Sequence, residues 1–303
     1  MPALSTQAWL EELRAQVDGA LPGLLPARHA IAAGVHEAMA YALLGPGKRI
    51  RPALALAVGA MYRCDTSRVM PAACAIEMVH AASLILDDLP CMDDAPVRRG
   101  RASCHAAFGE STAILAAIGL LSRAFGIVAG GGPPSTGGRD WLRAQVARRL
   151  SRAIGPDGVI GGQYADLEAA RDPAAARGAG LTGLEFIHSH KTGSLFIASA
   201  EVGADAGGAT AAELAALASY ARNLGLAFQI TDDLIDATGD AATAGKPVGA
   251  DAGRPTFVTL CGVQGARALA SELVDASIQS LRPFGRRASR LAELARLIAV
   301  RDR

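Results

Sequence analysis

Apolar positions recur at steps of three and four along almost the whole chain. No stretch shows the period-two, Val-, Ile- and Thr-rich alternation of a half-buried strand. The pattern predicts an all-α fold. Leu214, Leu217, Ala221, Leu224 and Phe228 form one stripe of a long helix. At about 100° per residue, Asp232 returns to the angular position of Leu214, so a carboxylate lands on the core-facing stripe. A second helix is predicted from about Arg68 to Leu86, where CAIEMVHAASLIL is apolar on nearly every side, as expected of the central helix of a large bundle. Clusters of Gly, Pro and small polar residues place connections at Gly130–Gly138, Arg171–Gly180, Gly203–Gly208 and Gly239–Pro255. No fixed-period repeat is present, and residues 1–303 are read as a single domain.

Charge narrows the function classes. Thirty Lys and Arg stand against 29 Asp and Glu, a formal net charge of +1, so no global field draws the chain to nucleic acid or to an anionic membrane. Any charge-driven function must be local. Cys64, Cys74, Cys91, Cys104 and Cys261 contain no CxxC pair, which argues against a zinc ribbon or a thioredoxin-type site, and their odd number suits a reducing compartment. The first fifteen residues lack a basic segment followed by an apolar run, so no signal peptide is expected. The most apolar stretches are interrupted by Glu77 and His80, or by Gly and Arg, before the roughly 18 to 20 residues that span a bilayer. A cytoplasmic protein with no membrane span is expected.

Two acid clusters end the two apolar helices: Asp87-Asp88-Leu89-Pro90-Cys91-Met92-Asp93-Asp94 and Asp232-Asp233-Leu234-Ile235-Asp236. In the second, Asp232 and Asp236 share a helix face while Asp233 points about 100° away. Pro90 should end the helix of the first and let Asp93 swing back toward Asp87. Either cluster alone reads equally well as helix-end acids in solvent. Both together, each on an apolar helix, argue for bound cations, because a core-facing carboxylate with no partner costs several kcal/mol. Oxygen ligands without His or Cys suit Mg²⁺ or Ca²⁺, and few carboxylates completed by water and phosphate are the Mg²⁺ habit.

The bases are also local: Lys48-Arg49-Ile50-Arg51 follows Gly45-Pro46-Gly47, and Arg98-Arg99-Gly100-Arg101 follows the first acids. Guanidinium forks bind phosphate oxygens bidentately, whereas a lone basic tetrad is ordinarily a solvated face. The spacing of a Walker A loop is missing. Acids for Mg²⁺ beside bases for phosphate imply a diphosphate substrate.

Five strings, GKRIRP, HAASLILDDLPCMDDAPVRRGR, GGQYADL, HKTGSLF and FQITDDLIDATGD, together resemble the trans-isoprenyl diphosphate synthases. The resemblance runs from Gly47 to Thr256 and looks most like the bacterial geranylgeranyl diphosphate synthases of the carotenoid type. It implies a helical bundle around a central cavity, a homodimer, and condensation of isopentenyl diphosphate with an allylic diphosphate. By resemblance, Asp87, Asp88, Asp93, Asp232, Asp233 and Asp236 hold up to three Mg²⁺ that clamp the allylic diphosphate while its C–O bond ionises. Lys48, Arg51, His80 and Arg99 match the isopentenyl diphosphate ligands, and Arg98, Lys191 and Lys246 the allylic ones. Lys191, Thr192 and Gln229 are the candidate catalytic residues, with Gln163 and Asp166 also toward the reacting carbons. His80 taken alone also reads as a satisfied core histidine, and Lys191 as a surface lysine.

Product length in the family is set by a tunnel that starts at the first acids. Ser83 and Ala82, four and five residues before Asp87, are its expected wall, and both are small. Farnesyl-producing relatives tend to carry an aromatic at the position of Ala82, so the C20 product is expected. A deeper residue between Ala113 and Leu121 is the other candidate for the floor. Three alternatives stay open: a farnesyl or longer product, a class I cyclase, and a non-catalytic partner subunit. Intact acids in both clusters weigh against the last two.

Overall fold

The structure is a computed structural model that describes residues 5–130, 139–238 and 255–299. Its helices are α1 (Thr6–Leu24), α2 (Ala33–Leu43), α3 (Ile50–Met61), α4 (Thr66–Asp87), α5 (Cys104–Phe108), α6 (Glu110–Ala129), α7 (Arg139–Ile154), α8 (Val159–Arg171), α9 (Pro173–Lys191), α10 (Gly193–Gly207), α11 (Ala211–Thr238), α12 (Phe257–Ser280) and α13 (Ser289–Ala299). The all-α expectation holds, and the two helices read from the apolar pattern are α4 and α11.

Helix α4 is the central element. Asp65 caps it by accepting from Ser67 N at 2.9 Å. It packs against α1, α2, α3, α6 and α10, which accounts for its lack of a polar face. Its one fully buried acid, Glu77, receives Arg49 Nη1 at 2.7 Å. Arg49 also donates to Asp18 at 2.8 Å and to the carbonyls of Leu43 and Gly45, so one buried guanidinium joins α1, the α2–α3 loop and α4. An ion pair taken out of water persists only when its remaining donors are satisfied in this way.

Several expected connections are shorter than the Gly and Pro clusters suggested. The chain enters α9 directly at Pro173, after Asp172 has capped it, and Gly180 is a kink inside the helix (φ 59°) rather than a loop residue. Helix α10 likewise runs through Gly203 to Gly207. At Gly203 a Cβ would lie 2.3 Å from the Ala55 carbonyl, so that glycine serves the close approach of α10 to α3. Residues 131–138 and 239–254, which contain most of the other two expected loops, lie outside the described residues.

Two details depart from the sequence reading. A minimal antiparallel hairpin pairs Val97–Arg98 with Arg101–Ala102, its turn formed by Arg99 and Gly100, both with positive φ. Helices α4 and α6 are also long and apolar enough to cross a bilayer, contrary to the expectation that every apolar run is interrupted. In α4 the folding of the bundle explains the composition, since 67% of the apolar window is buried inside it. In α6 the figure is only 33%, and Ile114, Leu115, Ile118 and Phe125 face outward.

Candidate active site

The bases come first, because their backbone is fixed by the buried Arg49. Arg49 sits in the left-handed region at φ 48°, turning its own side chain inward and starting α3 at Ile50. Two residues on, Arg51 faces His80 on α4, with Nη1 3.3 Å from Nε2. Arg99, on the hairpin turn, reaches the same nitrogen at 3.5 Å and donates to the Pro46 carbonyl at 3.0 Å. Guanidinium groups can only donate, so Nε2 of His80 accepts and the ring proton sits on Nδ1. Burial, reinforced by Arg51 and Arg99, holds the imidazole well below its usual range, so it is neutral at pH 7. Burial likewise pulls Arg51 down to about 10, and its Nε has no hydrogen-bond partner among the described residues. The ring of Phe196 lies under the Arg51 guanidinium at 4.9 Å. Lys48 is exposed at the rim.

The first acids follow at the end of α4. Pro90 ends the helix as expected, and Asp93 N donates back to the Asp87 carbonyl at 2.9 Å, which folds Asp93 toward Asp87. Asp88 is 2% exposed and takes Arg98 in a forked ion pair, with Nε 2.8 Å from Oδ1. Burial pushes Asp87 up to about 6 against the opposing pull of Lys191, and Asp93 adds to the rise. Lys191 ends α9 and is no surface lysine: its Nζ donates to Asp166 of α8 at 2.6 Å. Burial works against its charge, but Asp166, Asp87 and Asp93 outweigh it and raise the ammonium's pKa. Gly162 makes this approach possible, since a Cβ there would lie 2.1 Å from Lys191 N.

On α11, Asp232 lies close enough to raise the Arg51 pKa, and Asp236 is one turn further along the same face. Contrary to the stripe reading, the more buried acid is Asp233, at 8% exposure, because α12 covers the other side of α11. Gln229 Nε2 donates to Asp233 Oδ1 at 3.0 Å, and the amide of Phe257, the first residue of α12, donates to Oδ2 at 3.0 Å. Thr192 Oγ1 donates to Gln229 Oε1 at 3.1 Å. Gln163 is 9% exposed, and neither end of its amide has a partner among the described residues. Ala82 is fully buried, while half-buried Ser83 donates to the His80 carbonyl at 2.9 Å. Lys246 falls outside the described residues.

The structure thus joins Arg51, Arg99 and His80, links Lys191 to Asp166, Asp87 and Asp93, and connects Thr192 through Gln229 to Asp233. Among the described residues no three acids lie close enough to share an ion. The all-oxygen donors of both clusters fit a hard divalent cation that an anion helps to hold. Sequence reasoning missed the part played by Arg49, Glu77 and Asp18. The available signal was a glutamate inside an otherwise apolar helix.

Residues 33–283 match the family described as Polyprenyl synthetase. The chain belongs to the polyprenyl synthetase family. It is 39% identical to the farnesyl diphosphate synthase of Geobacillus stearothermophilus over 308 residues, with both chains covered in full. It is 40% identical to geranylgeranyl pyrophosphate synthase 9, chloroplastic, of Arabidopsis thaliana, covering 96% of this chain and 79% of that one. Among solved structures, an FPP/GFPP synthase from Zymomonas mobilis superposes with a TM-score of 0.84 at 35% identity, covering 97% and 99% of the two chains. The protein is therefore an isoprenyl diphosphate synthase, a head-to-tail prenyltransferase that uses isopentenyl and allylic diphosphates. Its family employs Mg²⁺ to bind diphosphate.

Proposed function

We propose that this synthase, folded as one domain, extends an allylic diphosphate with isopentenyl diphosphate to geranylgeranyl diphosphate (C20) and releases pyrophosphate. The observation that carries the diphosphate assignment is the convergence of Arg51 and Arg99 on one neutral imidazole. Two guanidiniums this close repel one another until an anion sits between them. Lys48, Arg51, His80 and Arg99 then hold the diphosphate of isopentenyl diphosphate. Lys191, Lys246 and Arg98 hold that of the allylic substrate, with Arg98 exchanging Asp88 for phosphate oxygen.

Asp87, Asp88, Asp93, Asp232 and Asp236 are the candidate carboxylates for up to three Mg²⁺, whereas the adjacent Asp233 already has both oxygens engaged by N–H donors. When bound, Mg²⁺ neutralises the charge that develops on the departing pyrophosphate. The amide of Gln163, without a partner among the described residues, adds a buried polar group that a ligand or water would satisfy. Thr192 and Gln229 stand beside Lys191, where the allylic carbon becomes electron-poor, and Asp166 steers the Lys191 ammonium. The alkene carbon of isopentenyl diphosphate attacks, and the proton lost afterwards goes to the released pyrophosphate. No side-chain nucleophile takes part.

Support for the C20 product is steric. Ala82 on α4 is fully buried and small, and α6, which packs against α4, contributes buried Ala113, Ala116 and Ala117. The relatives named above include farnesyl, geranylgeranyl and FPP/GFPP synthases, so a direct product measurement decides the length. The outward apolar face of α6, Ile114, Leu115, Ile118 and Phe125, supports a homodimer. A cytoplasmic location goes with this reading. The test incubates the protein with isopentenyl diphosphate and dimethylallyl, geranyl or farnesyl diphosphate, with Mg²⁺ or EDTA, and weighs the dephosphorylated product. A Mg²⁺-dependent C20 alcohol is expected. A C15 or longer product overturns the length assignment alone, and no condensation with any primer overturns the catalytic reading.

A further inference from the structure

The geometry points to Asp233 as a positioning residue that acts through Gln229 to set the direction of the Thr192 hydroxyl, in place of a metal-ligand role. Both carboxylate oxygens of Asp233 are engaged by N–H donors, Gln229 Nε2 on one side and the Phe257 backbone amide on the other, each at 3.0 Å. A carboxylate facing two donors is an acceptor at both oxygens, so only the NH₂ end of Gln229 can point toward it. That choice leaves Gln229 Oε1 toward Thr192, 3.1 Å from Oγ1. An amide oxygen cannot donate, so Thr192 must give its proton to Gln229. Both hydroxyl lone pairs are then left for an electropositive neighbour.

This inference rests on the reading above, in which that neighbour is the allylic carbon as its bond to oxygen weakens. A preset hydroxyl oxygen stabilises the developing positive charge without having to reorient during the reaction. The second contact of Asp233 ties α11 to the start of α12. Phe257 opens α12, the first described element after residues 239–254, which include Lys246. Asp233 thus fixes where that helix begins while it orients Gln229. In Asp233→Asn the new NH₂ opposes one of the two donors. Gln229 can relieve the clash by flipping, and the flip places its NH₂ against Thr192 and reverses the hydroxyl.

The test compares Asp233→Asn, Thr192→Val and the double variant in steady-state kinetics. Calorimetry of inorganic pyrophosphate binding in the presence of Mg²⁺ provides the second readout, with Asp232→Asn as comparator. Asp233→Asn should lower kcat about ten- to a hundredfold with little change in either KM. In the Thr192→Val background the same change should cost less than about twofold, because the hydroxyl it acts through is gone. Mg²⁺-dependent pyrophosphate binding should survive Asp233→Asn and weaken in Asp232→Asn. Effects that multiply in the double variant, or pyrophosphate binding lost in Asp233→Asn as in Asp232→Asn, overturn the assignment, as does Thr192→Val with wild-type kcat. Gln229→Met breaks the same chain in the middle and should repeat the pattern if Asp233→Asn fails to fold; additivity there overturns it too. A wild-type chain that condenses no primer fails the broader reading instead, before any variant is compared.

Discussion

At the scale of single residues, the site is governed by which side of a charged group is buried. Arg49 and Arg51 are two positions apart in one basic string, yet Arg49 is consumed by Asp18, Glu77 and two carbonyls while Arg51 faces His80. His188 illustrates how burial alone sets a charge state. Its ring lies 5.6 Å from that of Phe257, and its Nδ1 has no partner among the described residues. Burial drives its pKa down to about 4; neighbouring Asp166 raises it slightly and Lys191 lowers it. The unfolded chain takes up this proton near pH 6.5 and the folded chain only near 4. Between those values the unfolded state holds more protons, so this contribution is present above pH 6.5 and is lost as pH falls to 4. Its size is at most about 3 kcal/mol. Urea unfolding from pH 7 to 4 should therefore show a shallower loss of stability in His188→Gln than in the wild type. Asp87, shifted the opposite way, is common to both proteins and drops out of the difference.

At the scale of elements, the seam between α4 and α6 is, on the reading proposed here, what limits the room for a growing chain. Ala82 is fully buried, and so are Ala113, Ala116 and Ala117 of the neighbouring α6. A phenyl ring introduced at Ala82 has no solvent to escape into and must fill space between these helices. Ala82→Phe should shift the main product from C20 to C15, read by chromatography of the dephosphorylated alcohols, with the Tm reporting any overpacking. An unchanged product profile would mean that the wall lies deeper, on α6 itself. The two acid clusters also depend on their elements. Pro90 folds Asp93 back to Asp87, while unbroken α11 carries Asp232 and Asp236 on one face and turns Asp233 to α12.

At the scale of the whole molecule, α6 separates inside from outside. One face closes the bundle over α4, and the other leaves Ile118 55% and Leu115 54% exposed, with Trp141 of the neighbouring α7 similarly open. An apolar face of this kind on a 20-residue helix is covered in solution by a second copy, on the reading proposed here. Ile118→Asp should then sediment as a monomer at concentrations where the wild type is a dimer. A monomeric wild type would sink the proposal.

The sequence by itself determined what depends on periodicity and on local chemistry. The steps of three and four marked α11 because a helix buries one stripe, an all-round apolar run marked α4 as a central helix, and Pro90 marked the turn because it cannot continue a helix. The same local signals overstated the connections, since glycine looks alike whether it opens a loop or, as at Gly203, lets two helices touch. Only the tertiary structure decided which of several like-charged residues face one another. Asp232 and Asp233 are adjacent in sequence and chemically identical, yet one acts electrostatically on Arg51 and the other accepts from Gln229 and Phe257. That division arises because helices distant along the chain cover different faces of α11, and burial and partners across space set what each carboxylate can do.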